Sequence, residues 1–201
     1  MAINLANNNS LANITALPSS ISGGAMTLLA TQTASGSANL SFTSGIDDTY
    51  DSYVFKFYNI HPATNDTAFT FQSNASGGSG YNETMTTTRF KAGHNEAGDY
   101  SVLGYESGSD QAQGTSFQVL TQNVGNVSDE SLSGQITIYN PSSTVFVKHF
   151  IATFNTYQHS NASYNDFTAG YFNTVTALTD FQFKMASGNI DSGVIKLYGV
   201  S

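Results

Sequence analysis

Cysteine is absent from all 201 residues, so neither a disulfide framework nor a thiolate metal site can hold this chain together, and stability has to come from packing and assembly. Tryptophan is absent too, which removes the aromatic best suited to stacking on a sugar ring. Cations are few: Lys56, Arg89, Lys91, Lys148, Lys184 and Lys196 stand singly against fourteen Asp and Glu, for a net charge of −8. Phosphate neutralisation needs clustered cations, so this chain suits neither nucleic acid nor an anionic membrane surface. The opening stretch, "MAINLANNNSLANITALPSSISGG", lacks the charged start and the unbroken apolar run of a secretory signal, and it is too polar to span a bilayer. It reads as part of the working protein. Nowhere does a long stretch keep a helical period.

What is present points to a folded β-protein. The chain is 39% hydrophobic, with 14 Phe and 11 Tyr, which is enough to build a sizeable core although only 10% of residues are charged. From residue 25 onward, runs such as "DSYVFKFYNI", "DTAFTFQSN", "ETMTTTRFKA", "TSFQVLTQN", "SGQITIYN" and "SGVIKLYG" are rich in β-branched and aromatic residues and are separated by Gly, Asn, Asp and Ser. That spacing predicts an all-β chain, a sandwich or barrel, and not βαβ units. In "DFQFKMAS", Phe181, Phe183 and Met185 point one way and Gln182 and Lys184 the other, so that strand is expected to have one wet face. "STVFVKHFIATF" is apolar in both phases, with Phe146, Phe150 and Phe154 on one side and Val145, Val147 and Ile151 on the other. It is expected to be central in its sheet, or pinched between the sheet and a second subunit. Asn140-Pro141-Ser142-Ser143 supplies the turn before it, giving a hairpin over about 135–154.

Groups that could carry chemistry are scattered. The glycine-rich "SNASGGSGYNE" around Gly77, Gly78 and Gly80 lacks the Gly-Lys-Ser/Thr ending of a phosphate loop and reads as surface loop. His94, Glu96 and Asp99 share a loop but match zinc spacings poorly, and Asp47, Asp48 and Asp51 lack the ladder of a calcium loop. No metal and no cofactor is expected. His149, between Val147 and Ile151, reads as a hydrogen-bonded core or interface histidine; His61 and His159 stand apart from it. No Gly-x-Ser-x-Gly elbow is present, and Glu83, Glu96, Glu106 and Glu130 are not paired by sequence, so no catalytic residue is assigned and an enzyme is not expected. The Asn-x-Ser/Thr triplets, Asn65 and Asn161 among them, reflect a composition full of Asn, Ser and Thr.

The runs "YNIHPAT", "VKHFIA", "FTAGYFN" and "SGNIDSGVIKLYG" go beyond generic β-pattern. With their surroundings over residues 25–201, they make the chain resemble a family of virion structural proteins of tailed bacteriophages, marine ones especially. The resemblance implies a β-sandwich module, found alone or at the end of fibre-like chains, with no catalytic motif. The expected fold is a jelly-roll-like antiparallel β-sandwich over 25–201 with an extended N-terminal arm over 1–24. In that setting Ile3, Leu5, Leu11, Ile14 and Leu17, which the arm cannot bury within itself, are expected to lie across another subunit, because ordering a segment costs about 1–2 kcal/mol per residue and needs an extended partner surface. The partners expected are other virion proteins of capsid or tail and further copies of the chain, with a trimer as first guess by analogy to phage appendages. The competing expectation is a receptor-binding fibre tip that contacts host glycans through Tyr81, Tyr100 and Tyr105.

Overall fold

The computed structural model describes residues 26–201; the arm expected over 1–24, with Ile3, Leu5, Leu11, Ile14 and Leu17, lies outside the described residues. Every regular element among those described is a strand, in the order β1 (Thr27–Ser37), β2 (Leu40–Phe42), β3 (Ser52–Pro62), β4 (Thr67–Ala75), β5 (Met85–Asn95), β6 (Ser101–Tyr105), β7 (Gln118–Val124), β8 (Leu132–Tyr139), β9 (Lys148–Gln158), β10 (Ala162–Phe172), β11 (Leu178–Met185) and β12 (Ile190–Val200). All pairings are antiparallel.

The pairings are nested. β1 pairs with β12, β2 with β11, β3 with β8 and β4 with β7. A long hairpin rolled up in this way gives two four-stranded sheets, β1-β12-β3-β8 and β2-β11-β4-β7. That is the strand arrangement of a jelly roll, as expected. Two further hairpins interrupt it: β5–β6 lies between β4 and β7, and β9–β10 between β8 and β11. They meet in space and extend the first sheet past β8 in the order β9-β10-β5-β6, while a bridge between Val124 and Gln158 ties β7 to β9.

The core between the sheets is largely phenylalanine. Phe55 and Phe57 of β3, Phe69 and Phe71 of β4, Phe150 and Phe154 of β9, and Phe181 and Phe183 of β11 are all buried, each strand setting its Phe residues in the one phase that faces the opposite sheet. Phe183 packs edge-on against Phe55 and Phe57, with both centroid separations 5.0 Å. Gly134 makes room for one such contact. It sits in register between Phe57 and Phe154, and without a side chain there the two rings reach each other at 5.0 Å across the intervening strand.

The hairpin expected near 135–154 is β8–β9, with Gln135 opposite Thr153. In β11, Phe181, Phe183 and Met185 are buried while Gln182 and Lys184 are half-buried, in the predicted phase. The reading of "STVFVKHFIATF" needs correction in two places. Asn140 adopts φ 43°, and the Ser143 hydroxyl accepts the N–H groups of Val145 and Phe146, so the chain is still turning there and the strand begins only at Lys148. Val145 and Phe146 are therefore loop residues, 69% and 71% exposed, and Phe146 does not join the face of Phe150 and Phe154. β9 is central, between β8 and β10, but its second phase is open: Ile151 is 52% exposed.

Candidate assembly face

In the five strands β8, β9, β10, β5 and β6, the charged residues are Lys148, Asp166, Arg89 and Lys91. All four sit in the inward phase, alternating with outward residues that carry no charge. Alternation on β5 puts Met85, Thr87, Arg89 and Lys91 inside; on β10 it puts Ala162, Tyr164, Asp166 and Thr168 inside. This distribution inverts the usual one, in which charged side chains take the solvent.

The inward charges are engaged. Arg89 Nη2 donates to Asp166 Oδ1, and the other carboxylate oxygen of Asp166 accepts the Thr121 hydroxyl at 2.6 Å. Thr121 meets Thr156 at 2.7 Å. Glu106 lies 3.6 Å from Arg89 Nη1 and 3.1 Å from Lys91 Nζ. Burial pushes the Asp166 carboxyl above its ordinary value, with Arg89 and the Thr121 bond pulling the other way. Arg89, Asp166, Thr121 and Thr156 are each at most 1% exposed, so no substrate reaches them. This polar core fills the space between the added strands and β7, as phenylalanine fills the space between the jelly-roll sheets. Lys91 lies over the Tyr164 ring at 5.0 Å, and that ring covers Gly93 in the opposite strand.

Lys148 has a different task. Fully buried, it donates to the carbonyls of Phe146 and Thr174, both at 3.1 Å, and so joins the loop before β9 to the loop after β10. Burial pulls its ammonium below the usual lysine value, and nearby Glu83 opposes the shift. The clamped loops present Val145, Phe146 and Val175, all more than half exposed, at one end of the sheet.

The outward phase is continuous across the strands. One row, read through the register, is Lys56, Gln135, Thr153, Phe167, Phe90 and Tyr105; the next is Val54, Thr137, Ile151, Ala169 and Thr88. From β8 to β6 its strand residues include no Asp, Glu, Lys or Arg, and Glu96 and Asp110 border it only from loops. Phe90 and Phe167 stack at 4.8 Å with 11° between their planes, Phe90 being 44% exposed. Leu103 and Tyr105 stand out at the β6 edge. Near the clamped loops the face hollows into a groove of about 480 Å³ lined by Thr86, Tyr139, His149, Ile151, Ala169 and Tyr171, among others. A second hollow, of about 350 Å³, lies at the opposite end around His94, Asn155, Tyr157 and Ser163, with Glu96 among its lining residues.

His149 is thus exposed, edge-on to Tyr171 at 6.0 Å, and is not a core histidine. His94, Glu96 and Asp99 remain in and beside the β5–β6 turn, where Asp99 accepts from Asn95 Nδ2 at 2.6 Å. Asp47 accepts the Thr49 N–H and the Tyr53 hydroxyl, and the Thr49 bonds hold its carboxyl below the ordinary value. Among the described residues no group of three His, Cys, Asp or Glu side chains is placed to hold a metal. Tyr100 and Tyr105 flank β6, whereas Tyr81 lies in the β4–β5 connection at the far end of β5, so the three do not form one platform. Tyr105 donates its hydroxyl to Asp110 at 2.6 Å.

Sequence reading missed the inverted charges. In "TTTRFKA" neither phase is apolar enough to mark the inside: Arg89 shares a phase with Met85 and Thr87, and only the pairing partners show that this phase faces inward. Compared with known proteins, the chain matches no family model, no curated protein and no solved structure.

Proposed function

We propose that this chain is a non-enzymatic, self-assembling structural component of a phage virion, exposed on the particle as head decoration or tail appendage and attached through residues 1–24. The observation that carries the reading is the uncharged outer face from β8 to β6. Copies that each carry −8 repel one another, and this face lets them meet without adding close like-charge pairs, with Phe90, Ile151, Leu103 and Tyr105 to bury. The jelly roll recurs in viral capsid and lectin domains, which supports the setting by analogy of fold alone. The phage setting itself rests on the residue runs that resemble virion proteins. A receptor-binding tip would draw on Tyr100 and Tyr105 near β6; the engaged Tyr105 hydroxyl and the distance to Tyr81 favour it less.

Light-scattering mass tests the assembly. The full chain is expected to run as a defined oligomer at micromolar concentration, and both Phe90→Glu and a chain lacking residues 1–24 are expected to be lighter, with unchanged far-ultraviolet dichroism. A monomeric full chain overturns self-assembly. If all three share one mass, neither this face nor the segment holds the copies together. Mass spectrometry of purified particles tests the virion assignment directly.

A further inference from the structure

The outer face of β8-β9-β10-β5 is about 19 Å wide and 36 Å long by strand spacing and rise, or about 700 Å². That is close to the roughly 800 Å² that each partner contributes to a stable interface. Its chemistry restricts what can cover it. A charged segment laid over hydroxyls, amides and apolar side chains would be desolvated with nothing to pair with. An uncharged, hydroxyl- and amide-rich segment with isolated apolar residues would keep its hydrogen bonds with Thr88, Thr137 and Thr153 and set single aliphatic side chains into the groove beside Ile151. The chain contains such a segment. No Asp, Glu, Lys or Arg occurs before Asp47, and residues 1–24 are mostly Asn, Ser and Ala, punctuated by Ile3, Leu5, Leu11, Ile14, Leu17 and Ile21.

Position agrees with chemistry. Thr27, where β1 begins, is in register with Gly199, which faces Tyr53, then Ile138, Phe150, Gly170 and Thr87 on successive strands. β1 therefore begins at the end of the sheet where the apolar groove lies, four strands or about 19 Å away. Twenty-four extended residues reach about 80 Å, enough to cover a neighbouring copy's face as well as their own.

We infer that residues 1–24 of this chain are the occupant of the uncharged β8-β9-β10-β5 face, with an aliphatic residue of the segment seated in the groove of Tyr139, His149, Ile151 and Tyr171. The inference deepens the assembly reading above and rests on it for the claim that the face belongs to a neighbour.

The absence of native cysteine makes the test clean. Leu11→Cys and Ile151→Cys are combined in one full-length chain, and separately in two full-length chains that are then mixed; Ser44→Cys, on the exposed β2–β3 loop, replaces Ile151→Cys as the control. Ile151 is half exposed, so its substitution leaves the core intact. Disulfide formation between positions 11 and 151 is expected to outpace the 11–44 pair by on the order of tenfold, as docking raises effective concentration. A disulfide between mixed chains supports the inference and the assembly reading together. One formed only within the doubly substituted chain supports the occupant but removes its role in joining copies. No preference for 151 over 44 in either format overturns the inference, and the light-scattering masses then decide self-assembly independently.

Discussion

Lys148 and the Arg89–Asp166 pair show what single side chains do when charge is turned inward. With its pKa lowered from 10.5 by burial, folded Lys148 binds fewer protons than in the unfolded chain between the lowered value and 10.5. Its contribution to stability therefore rises as pH rises through that window and is least below it. Urea denaturation of the wild type and Lys148→Met from pH 7 to 10.5 should show the wild type gaining on the variant as pH rises; a constant gap would refute the shift. The comparison cancels tyrosine ionisation, which both proteins share. At the ion pair, Asp166→Ala leaves buried Arg89 with only the more distant Glu106, 3.6 Å away, as counter-charge and should cost about 3 kcal/mol in the same assay. Joint replacement, Arg89→Met with Asp166→Leu, should recover most of that loss, since apolar residues of similar volume replace buried pairs well. If the joint variant is as unstable as Asp166→Ala, the polar core stabilises through Thr121 and Thr156 as a unit and not through the charge pair.

At the scale of strands, the closest contacts are made where glycine admits an aromatic ring. A Cβ on Gly134 would stand 2.4 Å from the Thr153 carbonyl oxygen and 2.6 Å from the Phe154 ring. Because the first obstacle is backbone, Gly134→Ala must push β8 and β9 apart, with an expected loss of about 1–3 kcal/mol. Gly104→Ala in β6 meets nothing closer than 4.0 Å and should be nearly neutral. Equal melting temperatures for the two variants would mean the β8–β9 contact is looser than its geometry. Much at this scale is legible in the sequence. The turn at Asn140-Pro141 announces the β8–β9 hairpin, and the strict alternation of Phe181, Phe183 and Met185 fixes the inner face of β11. The sequence of β9 is less informative, because "VFVKHFIATF" is apolar in both phases. Which phase faces inward is decided by partners far along the chain, so the exposure of His149 and Ile151 could not be read locally. The same holds for β5, where a run of threonines hides the side to which Arg89 points.

For the whole molecule, an all-β sandwich or barrel follows from many strands, absent helices and turn spacing, but the nested jelly-roll order and the extension that β5, β6, β9 and β10 add to one sheet do not. Two hairpins separated by the β7–β8 segment must find one another, and nothing local encodes that β10 pairs with β5. The uncharged face is created by that meeting, which is why charges scattered along the chain give no sign of a surface without them. The nested pairing also orders events during synthesis. Among the described residues β1 has no sheet neighbour other than β12, and roughly 150 residues separate the two. At about 5–20 residues per second, a ribosome needs about 8 to 30 s to pass from one to the other. Through that interval β1 lacks its sheet partner. If copies join through residues 1–24 as proposed, joining is deferred until β12 has been made, and half-made chains stay out of the growing assembly.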